Sequence, residues 1–323
     1  MSIFPTKILL ATDGSEEAAL AARTAVDIAQ KTDSELHVVY VGSSLEYVGM
    51  GPPQIADIPA PAQEQLSAEA RELLDAEVEQ VKAAGGTVAQ AHLGIGAPGR
   101  EIVELAEKLN VGLIVIGSRG RGGIRRALMG GVSDSVVRHA HCPVLVVRGG
   151  ESGRAVLLSK KILLATDGSE DAVLAARTAA GLAQKMGSEL HAVYVRPRIV
   201  PHHPGYYVGP EVEEHAQQKE QKMLDAEAQT LLDAQAEEVR AAGGNVARAH
   251  LRVGRSDEEI IALAEEIGAG LIAMGSRGRG GIRRTLMGSV SDSVVRHAHC
   301  PVMVVRREKL DEEEESDQDM MLS

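Results

Sequence analysis

Residues 112–148 recur almost unchanged at 270–306, and this duplication limits the fold more than any other feature of the chain. The first copy reads GLIVIGSRGRGGIRRALMGGVSDSVVRHAHCPVLVVR, and the second differs only at positions 115, 116, 127, 131 and 145. KILLATDGSE at 7–16 returns at 161–170, and AAGG at 83–86 returns at 241–244. The two offsets differ by four residues, so the second copy has gained four between its second strand and the following helix. Units of roughly 150 residues are far longer than solenoid repeats. Each is large enough for its own core. The expected organisation is therefore one domain over 1–148, a Gly-bearing linker over 149–159, a second domain over 160–307 and a tail over 308–323.

Each half alternates apolar runs with helical patterns. KILLAT (7–12) reads as a strand buried on both faces. Ser15 is placed to cap a helix running to about Lys31, with apolar residues at Ala18, Ala22, Ala25, Val26 and Ala29. LHVVYV (36–41) is the second strand, and the Gly/Pro-rich 42–63 a loop. A helix over 64–84 stops at Gly85-Gly86, and TVAQAHL (87–93) is the third strand. Pro98 suits the first turn of the next helix. In the second half that helix opens at Ser256 with Glu259 three residues on, which predicts a capping box. GLIVIG (112–117) and PVLVV (143–147) are strands four and five. The fold class is α/β: two tandem doubly wound parallel five-stranded sheets, order 3-2-1-4-5, with helices on both faces.

Ligands in such sheets bind at the carboxyl ends of strands, where the winding reverses. Two loops compete for that place in each half: Thr12-Asp13-Gly14-Ser15 after strand one, and Gly117 to Gly131 after strand four. The second holds Gly117, Gly120, Gly122, Gly123, Gly130 and Gly131 with Arg119, Arg121, Arg125 and Arg126. A Gly/Arg-rich loop that leaves a buried strand and enters a helix near Val132 suits a phosphate, because backbone N–H groups and the helix N-terminus favour anions. Asp13 and Asp167 have a plainer reading, as caps of the following helix.

The pattern Gly-x2-Gly-x9-Gly-(Ser/Thr) resembles the ATP-binding signature of universal stress proteins. The second half matches it in full, from Gly275 and Gly278 to Gly288-Ser289; the first ends in Gly130-Gly131, with glycine in place of the hydroxyl. ATDGS and CPVLVVR are similar to the same family. The resemblance implies the adenine nucleotide alpha hydrolase-like fold and one ATP, or another adenine nucleotide, per half, accompanied by Mg2+. It implies that Ala11-Thr12-Asp13 and Ala165-Thr166-Asp167 meet the adenine or ribose, and that Val41 and Val195 lie against the adenine. Gly117, Gly120 and Gly130, with Gly275, Gly278 and Gly288, would wrap the phosphates. Arg119, Arg121, Arg277 and Arg279 would add charge. Gly131, Val132 and Ser133, with Ser289, Val290 and Ser291, would close on the phosphate at the helix start. Losing one hydroxyl at Gly131 predicts a weaker first site.

Of the net charge of −12, the tail carries −7 through eight acidic residues and one lysine, leaving −5 on the body. The tail is expected to be disordered. An acidic body argues against duplex nucleic acid, and one Phe with no Trp argues against base stacking. No apolar run reaches a membrane span. Two cysteines, Cys142 and Cys300, make no secreted disulfide framework, so a cytoplasmic protein is expected. His139-Ala140-His141-Cys142 and its copy at 297–300 read as a helix end with a buried Cys, since zinc needs more ligands than each copy supplies. His202 and His203 read as a solvated pair.

The expected function is nucleotide-dependent regulation through an unidentified protein partner. The two halves are expected to pair through their fifth strands, with a homodimer left open. An enzyme reading, at most slow ATP hydrolysis, has little behind it: there is no Walker lysine and no paired acidic metal cluster. A nucleotide-free dimerisation module is the remaining alternative.

Overall fold

The computed structural model describes residues 7–43, 60–120, 129–149, 160–198, 210–278 and 287–306. The predicted linker from residue 150, the acidic tail, His202, His203, Arg121, Arg279 and the middle of both Gly/Arg loops lie outside them. In the first half, β1 (Lys7–Thr12), α1 (Glu16–Thr32), β2 (Glu35–Ser43), α2 (Ala60–Ala83), β3 (Val88–Gly96), α3 (Pro98–Leu109), β4 (Leu113–Gly117), α4 (Gly131–His139) and β5 (Val144–Val147) follow in order. The second half repeats them as β6 (Lys161–Ala165), α5 (Glu170–Met186), β7 (Glu189–Arg196), α6 (Pro210–Ala241), β8 (Val246–Val253), α7 (Ser256–Ile267), β9 (Leu271–Gly275), α8 (Ser289–His297) and β10 (Val302–Val305).

The strands run β3-β2-β1-β4-β5-β10-β9-β6-β7-β8. Each half thus has the order 3-2-1-4-5, parallel throughout. The expected pair of five-stranded sheets is one sheet of ten, joined where β5 meets β10 antiparallel, with Val146 opposite Val302 and Leu145 opposite Met303. All four of these side chains are at most 2 % exposed. An apolar edge strand needs cover, and here each half covers the other.

Side-chain alternation explains the layers. Ile8 and Leu10 face α1 and α2; Leu9 and Ala11 face α3 and α4; the second half repeats the pattern. Ile8, Leu9 and Leu10 have no exposed surface at all, so β1 is central and covered on both faces. Ala21 and Ala25 are wholly buried on α1, and their small side chains let the helix lie close to the sheet. Ser15 caps α1 by accepting from the Ala18 N–H at 3.1 Å, and Ser169 does the same for α5. The capping box expected at Ser256 is absent: Arg255 holds the cap position and makes no side-chain capping bond, and Ser256 is the first residue inside α7. Its side chain faces a cavity instead, as described next.

Candidate functional site

β1 and β4 are neighbours, with Ala11 beside Ile116, and the loops after both leave the same edge of the sheet. In the second half, where β6 and β9 stand in the same relation, these loops border a cavity of about 580 Å³. Its lining includes Ala165, Thr166, Asp167, Val195, Gly275, Arg277, Gly278, Gly288, Ser289, Val290 and Ser291. Every second-half candidate within the described residues therefore stands at one cavity. Val193, Val195, Ile260 and Met274 give it an apolar side, and the start of α8 gives it a polar one. The size and this division suit a small organic anion.

The glycines divide by job. A Cβ on Gly117 would lie 3.0–3.1 Å from the backbone of Glu17 and Ala18; on Gly275 it would lie 2.8–2.9 Å from that of Asp171 and Ala172. These two glycines are demanded by the approach of α1 and α5, not by a ligand. A Cβ on Gly120 would fall 2.2 Å from Asp13 Oδ2, and on Gly278 2.3 Å from Asp167 Oδ2. The two candidate loops thus touch at this aspartate. Asp13 Oδ1 also accepts from the Ser15 N–H, and Asp167 Oδ1 from the Ser169 N–H, so each carboxylate shapes the turn before its helix.

Hydrogen bonds sort the donors. The Gly130 N–H donates to the Ser118 carbonyl at 2.8 Å, and Gly288 N–H to the Ser276 carbonyl at 2.9 Å. These two amides, expected on a phosphate, are already used in closing the loop. The first N–H groups of a helix have no intrahelical acceptor, so the donors facing the cavity are those of Ser289, Val290 and Ser291. Gly131, Val132 and Ser133 are their counterparts. Ser133 and Ser291 are 2 % exposed, and each hydroxyl donates to the carbonyls of the same loop: Ser133 to Ser118 and Gly130, Ser291 to Ser276 and Gly288. A hydroxyl has one proton. Both serines therefore hold loop to helix, and neither has that proton to spare for a phosphate.

The arginines are also engaged. Arg119 Nη2 lies 2.7 Å from Glu17 Oε1, while Ser118 donates to Glu17 Oε2 at 2.5 Å. Arg277 Nε lies 3.4 Å from Asp171 Oδ2, to which Ser276 donates at 2.8 Å. Their charge is therefore largely met within the protein. The side chain of Thr12 turns towards α2, in the layer that packs the other face of the sheet. Thr12 donates to the buried Glu77 at 2.6 Å, so only backbone at this position can meet a ligand.

The halves differ around α3 and α7. Ser256 lines the second cavity, and Pro98 stands in its place in the first half. Ser293 on α8 donates to Asp257 Oδ2 at 2.7 Å. Burial tends to raise the Asp257 carboxyl; Ser293 and Arg255 outweigh it and hold the group below its ordinary value. The first half has Gly99 there, where a Cβ would come within 2.5 Å of Ser135 Oγ.

Other groupings escaped the sequence reading. His37 Nδ1 and His92 Nε2 lie 3.1 Å apart on β2 and β3, with rings stacked, and His191 and His250 repeat the arrangement. The signal was available: LHVVYV (36–41) returns as LHAVYV (190–195) and AHL (91–93) as AHL (249–251), on strands expected to be neighbours. The side chains of Asp134, Arg138, Asp292 and Arg296 also meet where α4 and α8 approach each other. Cys300 is buried, which pushes its thiol up to about 12. Among the described residues no three or more His, Cys, Asp or Glu side chains are grouped to hold a metal ion.

The profile of the universal stress protein family matches residues 5–148 and again 159–306. The chain belongs to that family. A universal stress protein of Methanocaldococcus jannaschii is 37 % identical over 142 residues, 44 % of this chain and 81 % of that protein. One of Mycolicibacterium smegmatis is 28 % identical over 299 residues, 93 % of this chain and 96 % of its own length. The crystal structure of a universal stress protein from Archaeoglobus fulgidus superposes with a TM-score of 0.67 at 27 % identity, covering 94 % of this chain and 98 % of that one. The two family matches coincide with the two structural repeats. Among the described residues of this universal stress protein, no helix is long and apolar enough to cross a membrane.

Proposed function

We propose that this universal stress protein binds one adenine nucleotide in each half, with ATP as the reference ligand, and that occupancy regulates a protein partner. One observation carries the reading: the 580 Å³ cavity joins an apolar wall to three helix-start amides at the switch point of the sheet. The adenine would lie against Val195, Val193, Ile260 and Met274. The phosphates would meet the N–H groups of Ser289, Val290 and Ser291, where the α8 dipole adds partial positive charge. Among the described residues, Asp167 is the one carboxylate on the cavity wall. A single carboxylate makes a poor dedicated magnesium site, so the ion would arrive on the phosphates with most of its water. The first half would use Ala11, Asp13, Val41, Gly120 and the amides of Gly131, Val132 and Ser133. A regulatory reading is favoured over hydrolysis because, among the described residues, the cavity wall offers no base beyond Asp167, which is already bonded to the Ser169 N–H.

Calorimetry with Mg-ATP, together with mass spectrometry of ligand released from the purified chain, tests this. Two binding events per chain and a released adenine nucleotide are expected. Absence of both heat and nucleotide overturns the reading, and phosphate release under turnover conditions would move the protein to the enzyme class.

A further inference from the structure

We propose that the two sites are energetically coupled, through polar contacts that lead from the phosphate loop of the second half to the phosphate-facing helix of the first. The inference rests on the nucleotide reading above and concerns how those sites act on each other.

The path begins at Ser276, whose carbonyl holds the Gly288 N–H and the Ser291 hydroxyl at the mouth of the second cavity. Arg306, just past β10, donates from Nε to Ser276 Oγ at 3.4 Å and from Nη1 to the carbonyl of Arg138 on α4. Arg138 grips Asp134 with two bonds, Nε to Oδ2 at 2.7 Å and Nη2 to Oδ1 at 3.1 Å. The Asp134 N–H closes the first turn of α4 on the Gly130 carbonyl at 2.9 Å, immediately after the amides of 131–133. Two further contacts brace the link: Arg138 Nη2 to Asp292 Oδ1 at 3.5 Å, and Arg296 Nη2 to Asp134 Oδ1 at 3.3 Å. Each phosphate-facing helix thus shares its aspartate with an arginine of the other half.

The path is not symmetric. Arg148 is the counterpart of Arg306, yet its Nε and Nη2 are buried without a hydrogen-bond partner. Among the described contacts, the step from a phosphate loop to the opposite helix is therefore made by Arg306 and not by Arg148. A phosphate on α8 fixes the loop at Ser276 and hence Arg306 and the α4 carbonyl. The first site then needs less ordering, so its affinity rises. Reciprocity requires the same gain in the other direction.

The test is calorimetry of Mg-ATP on the full chain. In the native chain the weaker event reports the first site with the second filled. In Gly278→Val, whose side chain would strike Asp167, it reports the first site with the second empty. Asp167→Ala empties the second site by a different route, should Gly278→Val misfold. The first site is expected to bind at least about fivefold more weakly in either variant than in the native chain. Arg306→Gln should remove that gain while still binding twice, and Arg148→Gln should keep it. Equal first-site affinity with the second site filled or empty overturns the coupling, as does a gain that survives Arg306→Gln. A native chain that binds no nucleotide overturns the function itself, a separate result.

Discussion

The Ser293 hydroxyl donates to Asp257 Oδ2 at 2.7 Å, tying α8 to the first turn of α7. The first half sets Ser135 against Gly99 instead, with no carboxylate to receive it. Ser293→Ala is expected to cost about 1–2 kcal/mol in denaturant unfolding, because a partly buried carboxylate loses a charge-assisted bond. Ser135→Ala should stay within about 0.5 kcal/mol. Asp257 is held below its unfolded value of 3.8, so its contribution is present above that pH and is lost as pH falls through the folded value. The Ser293→Ala cost should therefore shrink towards pH 3. Equal costs for the two serines would show that the tie contributes nothing.

Gly131 stands where the second half has Ser289, and a Cβ built on it meets nothing within 4 Å. Gly131→Ser should therefore fit without strain and add one hydroxyl at the α4 start. First-site affinity for Mg-ATP should rise, by up to about tenfold, as read in the Gly278→Val background. No change would mean that the Ser289 hydroxyl does not reach the ligand either.

The histidine pairs predict a pH response of stability. Burial lowers His92, helped by His37 and Lys108; burial also lowers His250, helped by His191, Arg248 and Arg252 against the opposing pull of Glu266. A histidine lowered in the folded chain stays neutral there while the unfolded chain takes up protons. Stability is thus full above about pH 6.5 and falls as pH drops towards the folded values. The melting temperature should decline from pH 7 to 5. The double variant His92→Gln/His250→Gln should flatten that slope, and an unaltered slope would remove the pairs as its source.

Val146 lies 2 % exposed at the join of the halves, opposite Val302. Val146→Lys places an uncompensated charge there and should cost more than about 3 kcal/mol. An unchanged melting temperature would rule out the β5–β10 join in solution.

Much of this was legible in the chain. The strand order followed from the alternation of apolar runs and helices, and the fifth-strand pairing from the need to cover an apolar edge. Asp167, Gly278 and Ser289, singled out through the family resemblance, line one cavity. What escaped depended on which way atoms point. Gly117 reads like a phosphate glycine, but only the approach of α1 shows why its Cβ is missing. Gly130 and Ser133 have the right donors, but those protons are spent on the carbonyls of Ser118 and Gly130. Ser256 and Glu259 have capping-box spacing, yet the helix begins one residue earlier than the motif requires. Arg306 is separated by 168 residues from the Arg138 carbonyl it binds, a distance no local pattern spans.

The antiparallel seam between Val144–Val147 and Val302–Val305 has a stoichiometric consequence. A protein assembled from two separate chains through such a seam would fall apart on dilution and could trade partners with its relatives. Here the covalent chain keeps the counterpart strand at high effective concentration at any protein level. Two unlike halves are therefore always delivered together, one of each per polypeptide, and both inner strand borders are spoken for before any other molecule arrives.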